Sequence, residues 1–215
     1  MSAIKKRLEK MEIAFDQEEV VIVDMGSGFL KAGFSGEDLP RCVIPTSIAE
    51  HIVEVDPELK NQPGGSDAKP KTHYTFGNGA IASRHTHDYH EPIQRGVVVD
   101  MDRMEKLLDH VFTNELGVKS SNINLLLTDS PINTKDNKKA LCDMVFEKFK
   151  VKSFSLMNTA ILSLYSTGTT TGLVTESGQG RTYAVPVFEG YALPHAIQTL
   201  DIAGHDITQK LMKDI

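Results

Sequence analysis

Apolar and β-branched residues cluster at Val20 to Asp24 and again at Phe29 to Phe34, with Gly26 and Gly28 between them. Two such runs around a glycine turn predict a β-hairpin. A third short strand is expected over Arg41 to Ile48, where Pro45 points to an edge or a strand end. From His51 to His73 charges mix with Pro63, Gly64, Gly65 and Pro70, a composition that predicts a long surface loop. Val97 to Val99 resumes strand character. Met101, Met104, Leu107, Leu108, Val111 and Phe112 then recur at helical spacing, with Gly117 as a stop. Asn124 to Thr128 reads as a buried strand. Ala140, Leu141, Met144, Val145 and Phe149 mark a second amphipathic helix for which Thr134 is a suitable cap. A strand over Ser153 to Met157 and an apolar helix over Asn158 to Thr167 follow. This alternation predicts an α/β core covered by helices.

After Gly168 the opening pattern returns. Strands are expected at Thr170 to Thr175 and Thr182 to Phe188 around Gly178 and Gly180, then an extended segment from Tyr191 to Ile202. Past Gly204 a helix runs from His205 to Ile215. Asp24-Met25-Gly26-Ser27-Gly28 and Glu176-Ser177-Gly178-Gln179-Gly180 thus share one pattern: an acid at a strand end, alternating glycines, and a departing strand. Glycine lets successive N–H groups converge on an anion, and the acid beside it can hold a hydrated divalent cation. One such hairpin is more often structural than functional; two acid-led copies shift the balance toward a polyphosphate clamp. The dinucleotide-binding glycine pattern and the Walker sequence are both absent. Lys31, on the outgoing strand, is either a phosphate ligand or a solvated surface lysine.

Composition changes this picture little. The 215 residues are 40% hydrophobic and 24% charged with net charge −6, which is globular composition and argues against sequence-independent nucleic-acid binding. The apolar-flanked Cys42 and Cys142 read as free thiols of a reducing, cytoplasmic setting. No apolar run reaches membrane-span length. Before Val20, Lys5, Lys6 and Arg7 mix with Glu9, Glu12, Asp16, Glu18 and Glu19, which argues for a short N-terminal extension over a targeting signal. His85 and His87 fall on one side of an extended segment and could pair on a metal, although a polar surface segment is the simpler account.

Asp24-Met25-Gly26-Ser27-Gly28-Phe29-Leu30-Lys31-Ala32-Gly33-Phe34 resembles the first phosphate loop of the actin family. Gly36-Glu37-Asp38, Met104-Glu105-Lys106, Asn114-Glu115-Leu116 and Leu162-Ser163-Leu164-Tyr165 continue the resemblance. Glu189-Gly190-Tyr191-Ala192-Leu193-Pro194-His195-Ala196-Ile197, followed by Leu200-Asp201-Ile202-Ala203-Gly204, resembles the family's sequence after the second loop. The match is colinear from about Val20 to the C-terminus.

The resemblance implies an actin-like ATPase fold of the ribonuclease H-like kind, with a nucleotide cleft between two halves. It implies an extension over 1–19, a first subdomain over 20–45 and 92–166, and a second over 46–91 with its variable loop at 51–73. Part of a third would span 167–202, and a fourth would begin at 203–215. Ser27, Gly28, Phe29 and Lys31 match the first phosphate loop and Gly178, Gln179 and Gly180 the second. Asp24 and Glu176 match the acids around the metal, so ATP or ADP with magnesium is the implied cofactor. Tyr165 and Tyr191 match family positions and are expected to pack rather than to stack on a base.

Departures from the family pattern redirect the functional expectation. Thr159 stands where the family has its water-positioning glutamine, and a threonine hydroxyl is too short for that span. Asn158 would point about 100° away as a neighbouring helical residue. Tyr183 stands where a histidine assists proton transfer, and a phenol is a poor relay at neutral pH. Glu176 and Gln179 replace two aspartates, one lengthened and one uncharged. Positioning catalysis tolerates little displacement.

By this resemblance the sequence stops as the family's fourth subdomain begins, so a shortened chain with apolar faces covered by protein partners is expected. The charged loop at 51–73 replaces a region that meets the next filament subunit through apolar side chains, which points to lost self-polymerisation. The expected function is a structural subunit of a larger cytoskeletal or ciliary assembly with hydrolysis lost. An active, filament-forming ATPase completed in trans is the alternative. A phosphotransferase is disfavoured because no sugar-binding motif is visible.

Overall fold

The computed structural model describes residues 20–53 and 71–215. The expected extension over 1–19 and most of the 51–73 loop lie outside them.

The first hairpin pairs β1 (Val20–Met25) with β2 (Phe29–Phe34), antiparallel, with Asp24 opposite Lys31. β3 (Cys42–Pro45) adds to β2 at the sheet edge, where the strand-terminating Pro45 needs no ladder donor. On the other side of β1 lie β9 (Asn124–Asp129) and then β10 (Ser153–Asn158), both parallel, giving the order β10-β9-β1-β2-β3. Alternate residues Val21, Val23, Leu125 and Leu127 are buried, as a pleated strand with a packed face requires.

Two helices cover this sheet. α2 (Met101–His110) continues into a π-helical turn over Val111–Glu115, and α3 (Lys135–Met144) into another over Val145–Phe149. Asp100 accepts the Arg103 N–H and Thr134 accepts the Asn137 N–H, so each helix begins on a side-chain cap. Met104, Leu107, Leu108, Val111 and Phe112 bury one stripe of α2, and Leu141, Val145 and Phe149 one stripe of α3. Phe112 and Phe149 meet edge to face.

Residues 46–91 contain more regular structure than their composition predicts. β4 (Ile48–Val53) pairs with β5 (Lys71–Phe76) and β6 (Asp88–His90), with His51 opposite His73. The loop expected from His51 to His73 is therefore strand at both ends. His51, Thr72 and His73 are exposed polar positions of these strands, a pattern that composition reads as loop. A short α1 (Asn78–Ser83) precedes β6, and the small ribbon β7 (Ile93–Gln94) with β8 (Val97–Val98) leads back to the main sheet.

The second hairpin repeats the first. β11 (Gly172–Ser177) pairs antiparallel with β12 (Thr182–Phe188), with Glu176 opposite Tyr183. β13 (Tyr191–Ala192) and β14 (Gln198–Leu200) both pair with β12. Ala160 and Leu164 of α4 (Thr159–Ser166) pack with Tyr183, Val185 and Val187 in a second apolar cluster. α5 (Gly204–Asp214) ends the described chain. Among the described residues no helix is long and apolar enough to cross a membrane.

Candidate nucleotide cleft

Residues directly opposite in an antiparallel pair share a face, so each hairpin presents its acid beside a fixed neighbour. In the first, Lys31 Nζ donates to Asp24 Oδ2 at 2.8 Å. Thr128, at the end of β9, donates to Asp24 Oδ1 at 3.0 Å while accepting the Met25 N–H at 2.8 Å. In the second, Thr159 Oγ1 donates to Glu176 Oε2 at 2.9 Å and Ser163 Oγ donates to Oε1. Thr159 and Ser163 lie one turn apart on α4, hence on one face, and together hold both carboxylate oxygens.

The two loops lie against each other. A Cβ placed on Gly28 would sit 1.8 Å from Gln179 Oε1, and one on Gly180 would sit 2.7 Å from Ser27 Oγ. A side chain at either glycine would force Gln179 or Ser27 to move. Ser27 Oγ also accepts the Gly96 N–H at 2.8 Å, which ties the first loop to the β7–β8 turn. The second loop is held from behind, where Gly204 and His205, opening α5, donate backbone N–H bonds to the carbonyls of Gly178 and Gln179.

Arg95 joins these parts. Its guanidinium donates to the Gly180 carbonyl at 3.0 Å, to the Asp201 carbonyl at 3.1 Å, and to both carboxylate oxygens of Asp206 at 2.6 and 2.7 Å. The Arg95 bond is the main cause holding the Asp206 carboxyl down at about 2, against a smaller opposing cost of burial. A carboxyl lowered on folding contributes stability that is present above its unfolded pKa, about 4, and lost as pH falls toward the folded value. The wild-type chain should therefore lose stability between about pH 4 and 2 in a component absent from Asp206→Asn. Urea unfolding of both across that range is the check, and identical pH profiles would contradict the assignment.

Asp24, Ser27, Gly28, Phe29, Lys31, Thr159, Glu176, Gly178, Gln179, Gly180 and Tyr183 all line one cavity of about 530 Å³. The structure thus brings together every site residue expected from the sequence. Actin-family domains generally bind ATP or ADP with magnesium. The lining fits such a group, since glycine backbone from both hairpins borders the cavity. Asp24 and Glu176, which line the cavity, would supply the hard oxygen donors that a hydrated magnesium ion takes. Bound there, the ion would neutralise phosphate charge.

The positions expected to fail in catalysis are each occupied by other contacts. Thr159 is committed to Glu176. Asn158 is not a helical residue, in contrast to the sequence expectation; it caps α4, its Oδ1 accepting the Ala160 N–H at 2.9 Å. Tyr183 is 8% exposed and shares a hydrogen bond with Ser130 at 2.9 Å. Burial first, then the nearby Glu176 and Asp201 charges, raise its phenol above the ordinary value, while the Ser130 bond and Arg181 act in the other direction. That moves it further from use as a neutral-pH relay.

Several contributors escaped sequence reasoning: Thr128, Ser130, Ser163, Arg95 and Arg181. Ser163 carried a local signal, a hydroxyl one helical turn past Thr159, and Arg181 directly follows Gly180. Thr128, Ser130 and Arg95 arrive through parallel pairing or loop contacts remote in sequence. His85 and His87 lie in the turn after α1 rather than on a strand, and no group of three or more His, Cys, Asp or Glu side chains placed to hold a metal is present among the described residues. Tyr165 and Tyr191, expected to pack, are 43% and 77% exposed. Cys42 is buried and Cys142 half-buried, both as free thiols.

Two acid-led glycine hairpins thus face each other across one cavity in an α/β fold. A family model described as Actin matches residues 15–215, and the chain belongs to the actin family.

Proposed function

We propose that the protein is an actin-family structural subunit that holds a nucleotide between its hairpins without turning it over. The observation that carries the reading is the commitment of Thr159 to Glu176 at 2.9 Å beside a buried, hydrogen-bonded Tyr183. In this arrangement neither group is placed to orient a water or accept its proton. The phosphate loops and both acids remain, so binding survives where catalysis, which needs placement within a fraction of an ångström, is lost.

A structural role within a larger cytoskeletal or ciliary assembly is the accompanying proposal. Phe188, Leu200, Ile202, Ile207, Leu211 and Met212 on β12, β14, the following turn and α5 are all more than half exposed. Apolar residues gathered on neighbouring elements favour protein contacts. Chains that co-purify with the tagged protein and are lost on Ile207→Asp/Leu211→Asp would support this part.

Calorimetry with magnesium and ATP should register binding, while phosphate release stays at the level of a protein-free control. Steady release that Lys31→Ala abolishes would instead identify a working ATPase, and a wild-type chain that binds no nucleotide would refute the retained site.

A further inference from the structure

Arg181 directly follows the second glycine loop, and its carbonyl accepts the Gly178 N–H at 3.2 Å to close the turn before β12. Arg181 is one of the residues that line the cavity, as is Lys31 from the other hairpin. The Arg181 side chain is 18% exposed and makes an ion pair through Nη2 to Asp201 Oδ1 at 2.6 Å, and the Asp201 side chain is itself 69% exposed. Arg181 Nε is buried and has no acceptor among the described residues.

These contacts leave the guanidinium poorly satisfied. An ion pair with a largely exposed carboxylate contributes little, because water and salt screen it. A buried N–H without an acceptor carries a desolvation cost that no contact offsets. A phosphate oxygen pair matches the guanidinium fork and would occupy Nε together with one Nη. Arg181 also exerts its charge on Tyr183, another lining residue, whose raised pKa it opposes.

We propose that Arg181 is a ligand for the terminal phosphates of a nucleoside triphosphate bound between the hairpins, and that Asp201 is the stand-in anion it leaves when the phosphates arrive. The proposal rests on the reading of the cleft as a nucleotide site. Lys31 and Arg181 would then supply one cation from each hairpin, and the cleft would favour the more highly charged triphosphate over the diphosphate. Asp201 acts as a competitor whose removal frees Arg181 for the ligand.

The test is calorimetric titration of the full chain with ATP plus magnesium, ADP plus magnesium, and inorganic tripolyphosphate. Arg181→Gln should weaken ATP and tripolyphosphate by about tenfold or more and ADP by less, the scale of a lost charge-assisted hydrogen-bond pair. Asp201→Asn should tighten ATP several-fold, and that gain should vanish in Arg181→Gln/Asp201→Asn, because it acts through Arg181. Arg181→Lys, which keeps charge without the fork, should fall between, and it carries the comparison if Arg181→Gln fails to fold.

Unchanged ATP affinity in Arg181→Gln, with only a lower melting temperature, would show a purely structural ion pair and overturn the proposal. A gain from Asp201→Asn that persists without Arg181 would reduce the effect to a general field and also overturn it. Absence of any binding by the wild-type chain would overturn the nucleotide reading of the cleft and this inference together. Binding that ignores residue 181 overturns this inference alone.

Discussion

Replacing Gly96 by alanine should lower the melting temperature by roughly 5–15 °C and weaken ATP binding in the same variant. Gly96 has φ +79, in the left-handed region where an L side chain costs about 1–2 kcal/mol. An added Cβ would lie 2.5 Å from the Tyr183 hydroxyl and 3.3 Å from Ser130 Oγ. Both are buried and bonded to each other, so neither can swing into solvent, and overpacking of that kind costs about 1–3 kcal/mol more. The total, about 2–5 kcal/mol, sets the thermal shift for a domain of this size.

Affinity should fall with stability because the Gly96 N–H anchors Ser27 in the first phosphate loop. Adding Tyr183→Phe to Gly96→Ala separates the contributions. Loss of the hydroxyl should recover the steric part of the melting temperature and leave the backbone part. An alanine variant that melts like the wild type would mean that the turn does not press on Tyr183.

The two hairpins could be read from the sequence because everything that specifies them is local. A β-branched run, a terminal acid, alternating glycines and a second apolar run suffice to place β1–β2 and β11–β12. The helices over Met101 and Ala140 were legible for the same reason, down to the Thr134 cap. Legibility failed where tertiary pairing overrides local pattern. His51 and His73 look like loop residues, yet they face each other across β4 and β5. Asn158 looked like the first residue of a helix and is its cap, a role in which the side chain turns back to the Ala160 N–H.

The site divides along the same line. Asp24, Ser27, Gly28, Glu176, Gly178 and Gly180 follow from a repeat that can be seen by eye in the sequence. The groups that satisfy those acids do not. Thr128 reaches Asp24 only because β9 lies parallel to β1, and Arg95 reaches Gly180 only because the β7–β8 turn folds onto the second loop. Neither relation has a signature in sequence spacing. The two glycine loops and their acids were therefore visible in advance, while Thr128, Ser130 and Ser163, which line the same cavity and hold those groups by hydrogen bonds, were not.

Those hydrogen bonds make the second large effect specific. The double variant Thr159→Gln/Tyr183→His should hydrolyse ATP about 10²-fold faster or more than the wild-type background, the scale that positioned proton transfer contributes. A glutamine at 159 is long enough to pass Glu176 and extend its amide into the cavity. Ser163 still holds Glu176 through its other oxygen, so the acid stays in place. A histidine at 183 would lie on the same face as Glu176, where burial and the Arg181 charge favour the neutral, proton-accepting imidazole against the opposing Glu176 and Asp201 charges.

Each single variant should gain far less than the pair, because a positioned water without a proton acceptor, or an acceptor without a positioned water, leaves the step incomplete. Single-turnover phosphate release with all four proteins at saturating ATP measures this. If the pair stays at background while still binding ATP, the defect extends to Gln179, which lies against Gly28 where a charged side chain stands in the family. Gln179→Asp added to the pair is the variant that would then have to restore turnover. If that also fails, the departures at 159 and 183 are not what separates this chain from a hydrolysing relative.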